Sequence, residues 1–593
     1  MDRRWSIAGP IASDFATRFP EIPRIVLQIL VNRGVLRTDM RSDEAQKAID
    51  EFLNPDYGSD IHDPFLFRDM TKAVERIRMA ISNQEKITVY GDYDADGVSG
   101  AVILTTTVRA LGATVDVYIP HRETEGYGVN RTAVDTIADG GTRVVITTDC
   151  GISNRDEILH ANERGIDVII TDHHTLPALL PPAYAIIHPL APHETYPFKS
   201  LAGGGVAFKF AQALLRTITP SPSRRGKGEV FDPSAFEKWL LDMVVVSTVA
   251  DMMPLMGENR TLVTYGLIVL NKTKRLGLKK LIDLAGLAKN GRALDTYSVG
   301  WGIAPRINAA GRMDHANTAY ALCMTENAEE AEELALALNR ANTERQETVQ
   351  RIVEEARARI GDPSKVPVLV AHGHDWPLGL VGLVAGKFSD EMYRPTIIMT
   401  NRQGEIAGSG RSIAGFNLIE ALQKLPPSLF KKFGGHPMAC GFTLASPSVI
   451  DDFTAALRAY AKKELTIESL VPTLRIDGEI KLKDIHWELW ERLEHLEPFG
   501  EKNPRPRYCA TAVMLIRVDR IGKDGQHIRC TLEQEGTTHP CIAFGAAELF
   551  SNFARGDVVD AVFEIDVNEW NGNRTLQLKI VDIKKSETLN SKS

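Results

Sequence analysis

The chain has 593 residues, which is too long for one hydrophobic core and predicts three or four domains. With 44% hydrophobic and 25% charged residues, its composition is that of a soluble globular protein and excludes an extensively disordered one. The net charge of −8 is not the basic excess typical of nucleic-acid-binding proteins, but it is compatible with a locally positive groove. The six scattered cysteines form no Cys-x-x-Cys pair, and no apolar run approaches the roughly 18 residues of a membrane span. We therefore expect a cytoplasmic protein without a membrane partner.

Residues 1–80 have helical apolar spacing and are predicted to form a helical lead-in. From Ile87 the pattern changes to short strands that alternate with helices. Strands are predicted at 87–90, 115–119, 143–148, 166–171 and 185–188, and helices at 98–111, 130–139, 153–164 and 174–180. This alternation predicts a doubly wound, mostly parallel sheet, and such sheets bind ligands beyond the carboxyl ends of their strands.

Three carboxylates, Asp92, Asp94 and Asp96, follow the first of these strands. Crowded carboxylates raise one another's pKa unless a cation neutralises them, and oxygen ligands suit Mg²⁺ or Mn²⁺. A Ca²⁺ loop of EF-hand type is disfavoured, because Ile103 occupies the position where that loop needs Glu. On this stretch alone, a solvated acidic turn remains an alternative.

The next strand ends carry similar groups. Asp149 follows the third strand, and Asp172, His173 and His174 follow the fourth. Asp251 ends an apolar helix predicted over 236–249, where an anion is disfavoured by the helix dipole unless a cation lies nearby. Because the carboxyl ends of parallel strands meet at one edge, we expect these side chains to converge on one metal centre.

The remainder of the chain suggests further domains. A polar, basic stretch at 220–229 is predicted to be an exposed loop, with a nucleic-acid tether as the alternative. Predicted boundaries are 81–325 for the metal-binding domain, 326–361 for a connector helix, 362–466 for a second α/β domain, 467–585 for a small OB-like β-barrel and 586–593 for a disordered tail. In the barrel, Phe544 and Trp570 are candidates for base stacking, although core packing is the expected role of Phe544.

Glycine-rich segments in the second α/β domain, at 408–412 and 433–437, place exposed backbone beside Arg, Ser and His side chains. Such segments suit the binding of a phosphate backbone, since amide donors and a guanidinium can act together. A glycine-rich hairpin turn without a ligand is the alternative for each segment.

These motifs resemble the DHH family of phosphoesterases, and within it the bacterial RecJ exonucleases. The resemblance covers nearly the whole chain and is carried by the segments 91–97, 148–149, 172–174, 249–251, 306–312, 409–412 and 434–436. It implies two Mn²⁺ or Mg²⁺ ions, bridged by Asp149, with His174 facing the scissile phosphate. The implied metal ligands are Asp94, Asp96, Asp149, His173 and Asp251. The implied nucleic-acid-binding residues are Arg122, Arg306, Asn308, Arg312, Ser409, Arg411, Gly435 and His436.

The resemblance also implies an activity, namely 5′→3′ hydrolysis of single-stranded DNA to 5′ mononucleotides in DNA repair and recombination. Expected partners are single-stranded DNA, a single-stranded-DNA-binding protein and a helicase, and the expected oligomeric state is a monomer. Two alternatives remain open: a DHH phosphodiesterase for oligoribonucleotides or cyclic dinucleotides, and a non-catalytic Cdc45-like replication scaffold.

This sequence departs from the family pattern in three places. Tyr90 replaces a metal-binding His of smaller superfamily members, which is expected to weaken the first ion's site and to favour Mn²⁺ over Mg²⁺. Cys150 stands beside Asp149 where Asn is usual. The segment 497–504, which precedes the last domain, has Glu501 and Lys502 in place of smaller residues.

Overall fold

The computed structural model describes residues 3–218, 231–570 and 572–587. The predicted basic loop at 220–229 and residues 588–593 of the predicted tail lie outside the described residues. The chain divides into two compact units, one formed mainly by 61–253 and 265–472, the other by 3–60, 254–264 and the residues from 473 onward. Within the described ranges, no helix is both long and apolar enough to cross a membrane.

The first described element is a strand, which the prediction of a helical lead-in had missed. The elements of this region are β1 (Arg4–Ile7), α1 (Ser13–Ala16), α2 (Arg24–Asn32), α3 (Ser42–Leu53) and α4 (Met70–Ser82). Helices α2 and α3 bury one face each, as their apolar spacing requires.

A five-stranded parallel sheet follows, in the order β3-β2-β4-β5-β6, as the strand and helix alternation predicted. Its elements are β2 (Lys86–Gly91), α5 (Ala95–Ala110), β3 (Thr114–Tyr118), α6 (Arg131–Asp139), β4 (Thr142–Thr148), α7 (Arg155–Glu163), β5 (Asp167–Thr171) and β6 (Ala185–Ile187). The helix predicted at 174–180 was wrong, since this described stretch has no regular structure. Pro177, Pro181 and Pro182 explain the difference, because proline lacks an amide donor and disfavours helical conformation in the residue before it.

A helical region connects this sheet to the next one. It consists of α8 (Gly203–Thr217), α9 (Pro233–Trp239), α10 (Leu241–Ala250), α11 (Gly257–Leu270), α12 (Leu276–Leu284), a π-helical turn (Ser298–Ile303), α13 (Ala304–Met313), α14 (Asn317–Met324) and α15 (Ala328–Ile360). The helix predicted over 236–249 is two helices, because hydrogen bonds between residues three apart tighten the chain at Leu240. The long helix α15 is capped by Asn327 and ends at Gly361, whose φ is 71°.

The second sheet is mixed, with the order β10-β11-β9-β8-β7. Its elements are β7 (Leu369–His374), α16 (Leu378–Met392), β8 (Thr396–Arg402), β9 (Glu405–Arg411), α17 (Leu418–Lys424), β10 (Phe430–His436), β11 (Ala439–Leu444) and α18 (Ile450–Glu464). Only β7 and β8 are parallel, and the other described pairings of this sheet are antiparallel. Both glycine-rich segments of the sequence lie in strands of this sheet.

The last elements include a closed five-stranded barrel, as predicted. They are β12 (Thr473–Ile476), β13 (Gly478–Glu479), α19 (Trp487–Glu494), β14 (Tyr508–Ile521), β15 (His527–Gln534), β16 (Thr537–Ala543), β17 (Val558–Trp570) and β18 (Asn573–Lys585). Five strands close in the order β14-β15-β16-β18-β17, since β17 also pairs with β14. Strand β1 pairs in parallel with β12, and helices α2 and α3 share one apolar core with the barrel.

Phe544 differs from its expected role. Its side chain is 61% exposed and meets the ring of His527 edge-on, so it does not pack in the barrel core. It follows β16 directly, where the chain leaves the barrel wall. The side chain of Trp570 lies outside the described residues.

Candidate metal centre

The register of the parallel sheet brings three loops together. Gly91, the last residue of β2, pairs with Thr148 of β4, and Thr148 pairs with Thr171 of β5. The residues that follow these three positions therefore leave the sheet side by side. They carry the carboxylates and imidazoles that the sequence analysis selected.

Asp94 and Asp96 are fixed by backbone amides. Asp94 caps α5 and accepts hydrogen bonds from the amides of Asp96 and Gly97, at 2.9 and 3.1 Å. Asp96, in the first turn of α5, accepts from the amides of Gly203 and Gly204 at 2.8 and 2.7 Å. The hydroxyl of Ser247 donates to the same carboxylate at 2.6 Å. The amino end of α8 and helix α10 thus orient Asp96.

Asp149, His173 and Asp251 complete the cluster. The backbone of Asp149 is left-handed, with φ of 61°, a conformation that Asp tolerates better than most residues. The Nε2 atom of His173 lies 3.1 Å from Asp149 Oδ1, 3.6 Å from Asp251 Oδ2 and 3.7 Å from Asp96 Oδ2. One imidazole nitrogen therefore faces three carboxylates that come from three separate segments.

His174 has different surroundings. Its Nδ1 lies 2.8 Å from Asp172 Oδ1 and 3.1 Å from the hydroxyl of Tyr127. Burial alone would lower the pKa of His174, but the hydrogen bond and charge of Asp172 outweigh burial and raise it to about 9. Reciprocally, burial would raise the pKa of Asp172, but the imidazolium and backbone donors lower it to about 2. Asp172 therefore favours the protonated form of His174.

The carboxylates of the cluster destabilise one another. Burial, followed by repulsion from neighbouring carboxylates, raises the pKa of Asp94, of Asp149 and, to about 8, of Asp251. Asp92, buried beside them, has its pKa raised by burial and by Asp94. Its Oδ1 atom has no hydrogen-bond partner in the described part of the chain.

This arrangement fits divalent cations. Three groups of side chains could each hold an ion: Asp149 with His173 and His174; Asp96 with His173 and Asp251; and Asp92 with Asp94 and Asp149. All the donors are carboxylate oxygens or imidazole nitrogens, which suit Mn²⁺ and Mg²⁺. A cation would remove the repulsion and satisfy the unpaired oxygen of Asp92.

Tyr90 and Cys150, two of the positions at which the sequence departs from the family pattern, are buried structural residues. Tyr90 is fully buried, and its hydroxyl donates to the carbonyl of Gly128 at 3.0 Å. Its ring stacks on Tyr118 with the centroids 5.3 Å apart. Cys150 is also buried, and its Sγ lies 3.9 Å from the carbonyl of Tyr90. The Tyr90 side chain thus belongs to the core under the metal loops.

Three of the predicted nucleic-acid-binding arginines lie near the amino end of α16. Its residue Gly379 accepts a hydrogen bond from Arg312 at 2.7 Å. The guanidinium of Arg122 lies over the ring of Tyr93, 4.8 Å from its centroid. Burial and the charge of Arg122 lower the pKa of Arg312 to about 10, and burial and, more weakly, Arg122 also lower the pKa of Arg411. Arg122 is close enough to repel both Arg312 and Arg411, so an anion beside these cations would be stabilised.

Ser409, Gly435 and His436 lie in neighbouring strands. Ser409 donates to the carbonyl of Cys440 at 3.0 Å and accepts from Arg411 at 3.3 Å. His436 is exposed on β10 and pairs with Ala439, which pairs in turn with Arg411. Gly435 has φ of 142°, and a Cβ there would lie 2.3 Å from the carbonyl oxygen of Ala439, so only glycine fits.

Arg306 and Asn308 are held within the helical region. Arg306 donates to Asn339 at 3.0 Å and to the carbonyl of Gly302 at 2.8 Å. Asn308 Oδ1 accepts a hydrogen bond from the amide of Ala95 at 2.7 Å, so Asn308 directly supports the metal loop, which is the loop that carries Asp92, Asp94 and Asp96.

Comparison with known proteins agrees with this geometry. The family model of the DHH family N-terminal domain matches residues 86–247, that of the DHHA1 domain matches 365–463, and that of the RecJ OB domain matches 476–582. The chain is 40% identical over 590 residues to the single-stranded-DNA-specific exonuclease RecJ of Bacillus subtilis, covering 98% of this chain and 71% of that protein. The chain belongs to the RecJ family.

Crystal structures of a RecJ show the same fold. RecJ of Thermus thermophilus in complex with Mn²⁺ has a TM-score of 0.81 and 27% identity, covering 99% of this chain and 80% of that one. The same protein in complex with Mg²⁺ has a TM-score of 0.75 and 26% identity, covering 99% of this chain and 79% of that one.

Two contributors to this RecJ site were not among the residues selected from the sequence. Asp92 was noted in the acidic run but left out of the ligand set, although its side chain faces Asp94 and Asp149. Tyr127, which contacts His174, lies in an irregular loop, and no sequence pattern marks it. The alternation of Asp92, Asp94 and Asp96 was the signal that could have included Asp92.

Proposed function

We propose that this RecJ-family protein is a metal-dependent exonuclease that hydrolyses single-stranded DNA from the 5′ end and releases 5′ mononucleotides. The observation that carries the proposal is the convergence of carboxylates and imidazoles from three parallel strand ends, in a chain that matches a single-strand-specific exonuclease over 98% of its own residues and 71% of that protein. The same match disfavours the oligoribonucleotide phosphodiesterase and the scaffold.

The residues that would hold two Mn²⁺ or Mg²⁺ ions are Asp94, Asp96, Asp149, His173 and Asp251, with Asp92 as an added ligand. Bound cations supply positive charge to the phosphate oxygens and acidify the attacking water. Burial lowers the pKa of His173, so its imidazole is neutral and offers a lone pair. Asp149 Oδ1 lies 3.1 Å from Nε2 of His173, and Asp149 also forms a candidate group with Asp92 and Asp94, which supports its proposed bridging position.

His174 would stabilise the reacting phosphate. Asp172 favours its protonated form and fixes the orientation of its ring. A cationic imidazole beside the metal ligands can donate a hydrogen bond to a phosphate oxygen or a proton to the leaving oxygen. Asp172 acts through His174 and is a positioning residue.

The arginine cluster would bind the 5′ end. Arg122, Arg312 and Arg411 lie around the first turn of α16, where backbone amides also point outward. A terminal phosphate carries more charge than an internal one, so this cluster favours a strand end. Ser409 and His436 would add contacts from the neighbouring strands, and Arg306 would contact the strand near the metal centre.

The predicted division of the chain assigns these tasks to separate segments. Residues 81–325 would carry out catalysis, 362–466 would bind the 5′ end, and 467–585 would bind the strand through the OB barrel. An enzyme that needs a single strand depends on a reaction that exposes one, so a helicase and a single-stranded-DNA-binding protein are the proposed partners of a monomeric nuclease. Light scattering of the purified chain, and duplex digestion with and without a helicase, would test this assignment.

Digestion of a single-stranded DNA oligomer labelled at either end tests the proposed activity. Parallel reactions contain Mn²⁺ or Mg²⁺, the duplex form, an RNA copy, a 5′-blocked oligomer or the Asp149→Ala variant. We expect 5′ mononucleotides from the unblocked single strand alone, and no product with Asp149→Ala. Cleavage of RNA fragments with intact DNA would overturn the proposed substrate, and binding without cleavage would support the scaffold.

A further inference from the structure

Two large aromatic side chains are exposed on the π-helical turn and on the residue before it. Tyr297 is 67% exposed and Trp301 is 73% exposed. Their ring centroids lie 6.1 Å apart with an interplanar angle of 30°, so the two exposed rings are neighbours on the surface. Large exposed aromatic pairs are costly in water and mark a binding surface more often than single exposed residues do.

The turn that carries Trp301 packs on α10, the helix that Asp251 caps at its carboxyl end. Gly300, next to Trp301, lies against α10, and a Cβ placed on it would be 3.5 Å from Cγ1 of Val249. Val249 precedes the candidate ligand Asp251 by two residues. π-helical turns are rare and occur frequently at functional sites.

The same segment continues to the metal loop on its other side. The carbonyl of Gly302, the residue after Trp301, accepts a hydrogen bond from Arg306 at 2.8 Å. Two residues later, Asn308 accepts from the amide of Ala95, next to Asp94 and Asp96. The aromatic pair is thus joined along the chain to Arg306, a cationic side chain, and to Asn308, which contacts the loop that carries Asp94 and Asp96.

We propose that Tyr297 and Trp301 form a stacking platform for the bases of the strand being degraded, at the rim of the metal centre. This inference rests on the proposed function, since it needs a single-stranded substrate at the metals. Bases of a single strand present free π-faces, on which aromatic side chains stack without sequence preference. In a duplex these faces are covered by neighbouring bases, so the platform contributes to the selection of single strands.

A cycle of enzyme variants and substrates tests the platform. Full-length wild type, Trp301→Ala and Tyr297→Ala are compared on an intact oligomer and on oligomers with one abasic nucleotide placed in turn at each of the first positions from the 5′ end. Trp301→Phe keeps an aromatic face, and Ile467→Ala removes an apolar side chain that is 84% exposed at another place in the same unit. Melting temperatures show that each variant is folded.

We expect wild type to lose about tenfold in kcat/KM at one or two abasic positions, as the stacking of one base predicts. On the intact oligomer, kcat/KM of Trp301→Ala should fall by a similar factor, with a larger change in KM than in kcat. Abasic nucleotides at the sensitive positions should cause no further loss in this variant. Trp301→Phe should restore most of the difference, and Ile467→Ala should match wild type.

Two results overturn the platform while leaving the exonuclease intact. One is an unchanged abasic penalty in Trp301→Ala and Tyr297→Ala. The other is a wild type that cleaves abasic and intact oligomers equally well. A wild type that cleaves no single-stranded DNA would instead overturn the proposed function, and the platform with it.

Discussion

Substitution of Gly203 by alanine tests whether helix α8 fixes the position of Asp149. A Cβ on Gly203 would lie 2.6 Å from Cβ and 2.8 Å from Oδ1 of Asp149. Ordinary contact begins near 3.4 Å, so the carboxylate or the helix must move by about 0.8 Å. Movement of the helix would also disturb Asp96, which accepts the amide hydrogens of Gly203 and Gly204.

We expect Gly203→Ala to fold and to lose about 100-fold in kcat, because misplacement of a catalytic group by about 1 Å has that effect. Its affinity for Mn²⁺, measured by calorimetry, should fall by about tenfold or more. The matched control is Gly205→Ala in the same helical turn, where the new Cβ meets Leu201 at an acceptable 3.5 Å. Equal activity and Mn²⁺ affinity in the two variants would refute the reasoning.

Three further predictions concern other parts of the molecule. Asp172→Asn should lower kcat by about 10- to 100-fold with little change in KM, since His174 loses the charge that orients and protonates it; an unchanged kcat would exclude that role. Arg33→Met should lower the free energy of unfolding of its unit, measured in urea, by about 3 kcal/mol, because it leaves the buried carboxylate of Asp477 without its ion-pair partner. Arg37→Met, which breaks the exposed ion pair with Asp39, should lower the free energy of unfolding by less than about 1 kcal/mol. Similar losses of stability in Arg33→Met and Arg37→Met would contradict the stabilising role of the buried pair. Burial and the charge of Glu497 raise the pKa of Glu494 to about 7 from 4.5, so its contribution to stability falls as pH rises from about 4.5 to about 7, and Glu494→Gln should raise the melting temperature near pH 8 but not near pH 4.

The first sheet and its loops were predictable because their signals are local. The runs that form β2, β4 and β5 are mostly apolar and short, and each ends within a residue or two of the predicted boundary and is followed directly by an aspartate. Parallel pairing then places Asp94, Asp149 and His173 together, a consequence of topology rather than of chance. The long helix α15 was equally clear, since Asn327 and Gly361 mark its ends.

The features that escaped prediction depend on distant parts of the chain. Strand β1 has only four residues, too few for a period, and it exists because β12 pairs with it more than 460 residues later. The orientation of Tyr90 into the core depends on Gly128 and Tyr118, which its own neighbours do not reveal. Likewise, the exposure of Trp301 follows from the packing of its turn on α10. Its apolar neighbours in the sequence, such as Val299 and Ile303, are buried, so the sequence alone suggests that Trp301 is buried as well.

The most direct test of the metal centre is a calorimetric titration of Mn²⁺ into the full-length protein and its Asp149→Ala variant, with exonuclease activity followed in the same samples. A pair of ions that share Asp149 predicts a stoichiometry of two for wild type, at most one for the variant, and activity that appears only as the second ion binds. A single ion at full activity, or an active Asp149→Ala protein, would contradict the two-ion site.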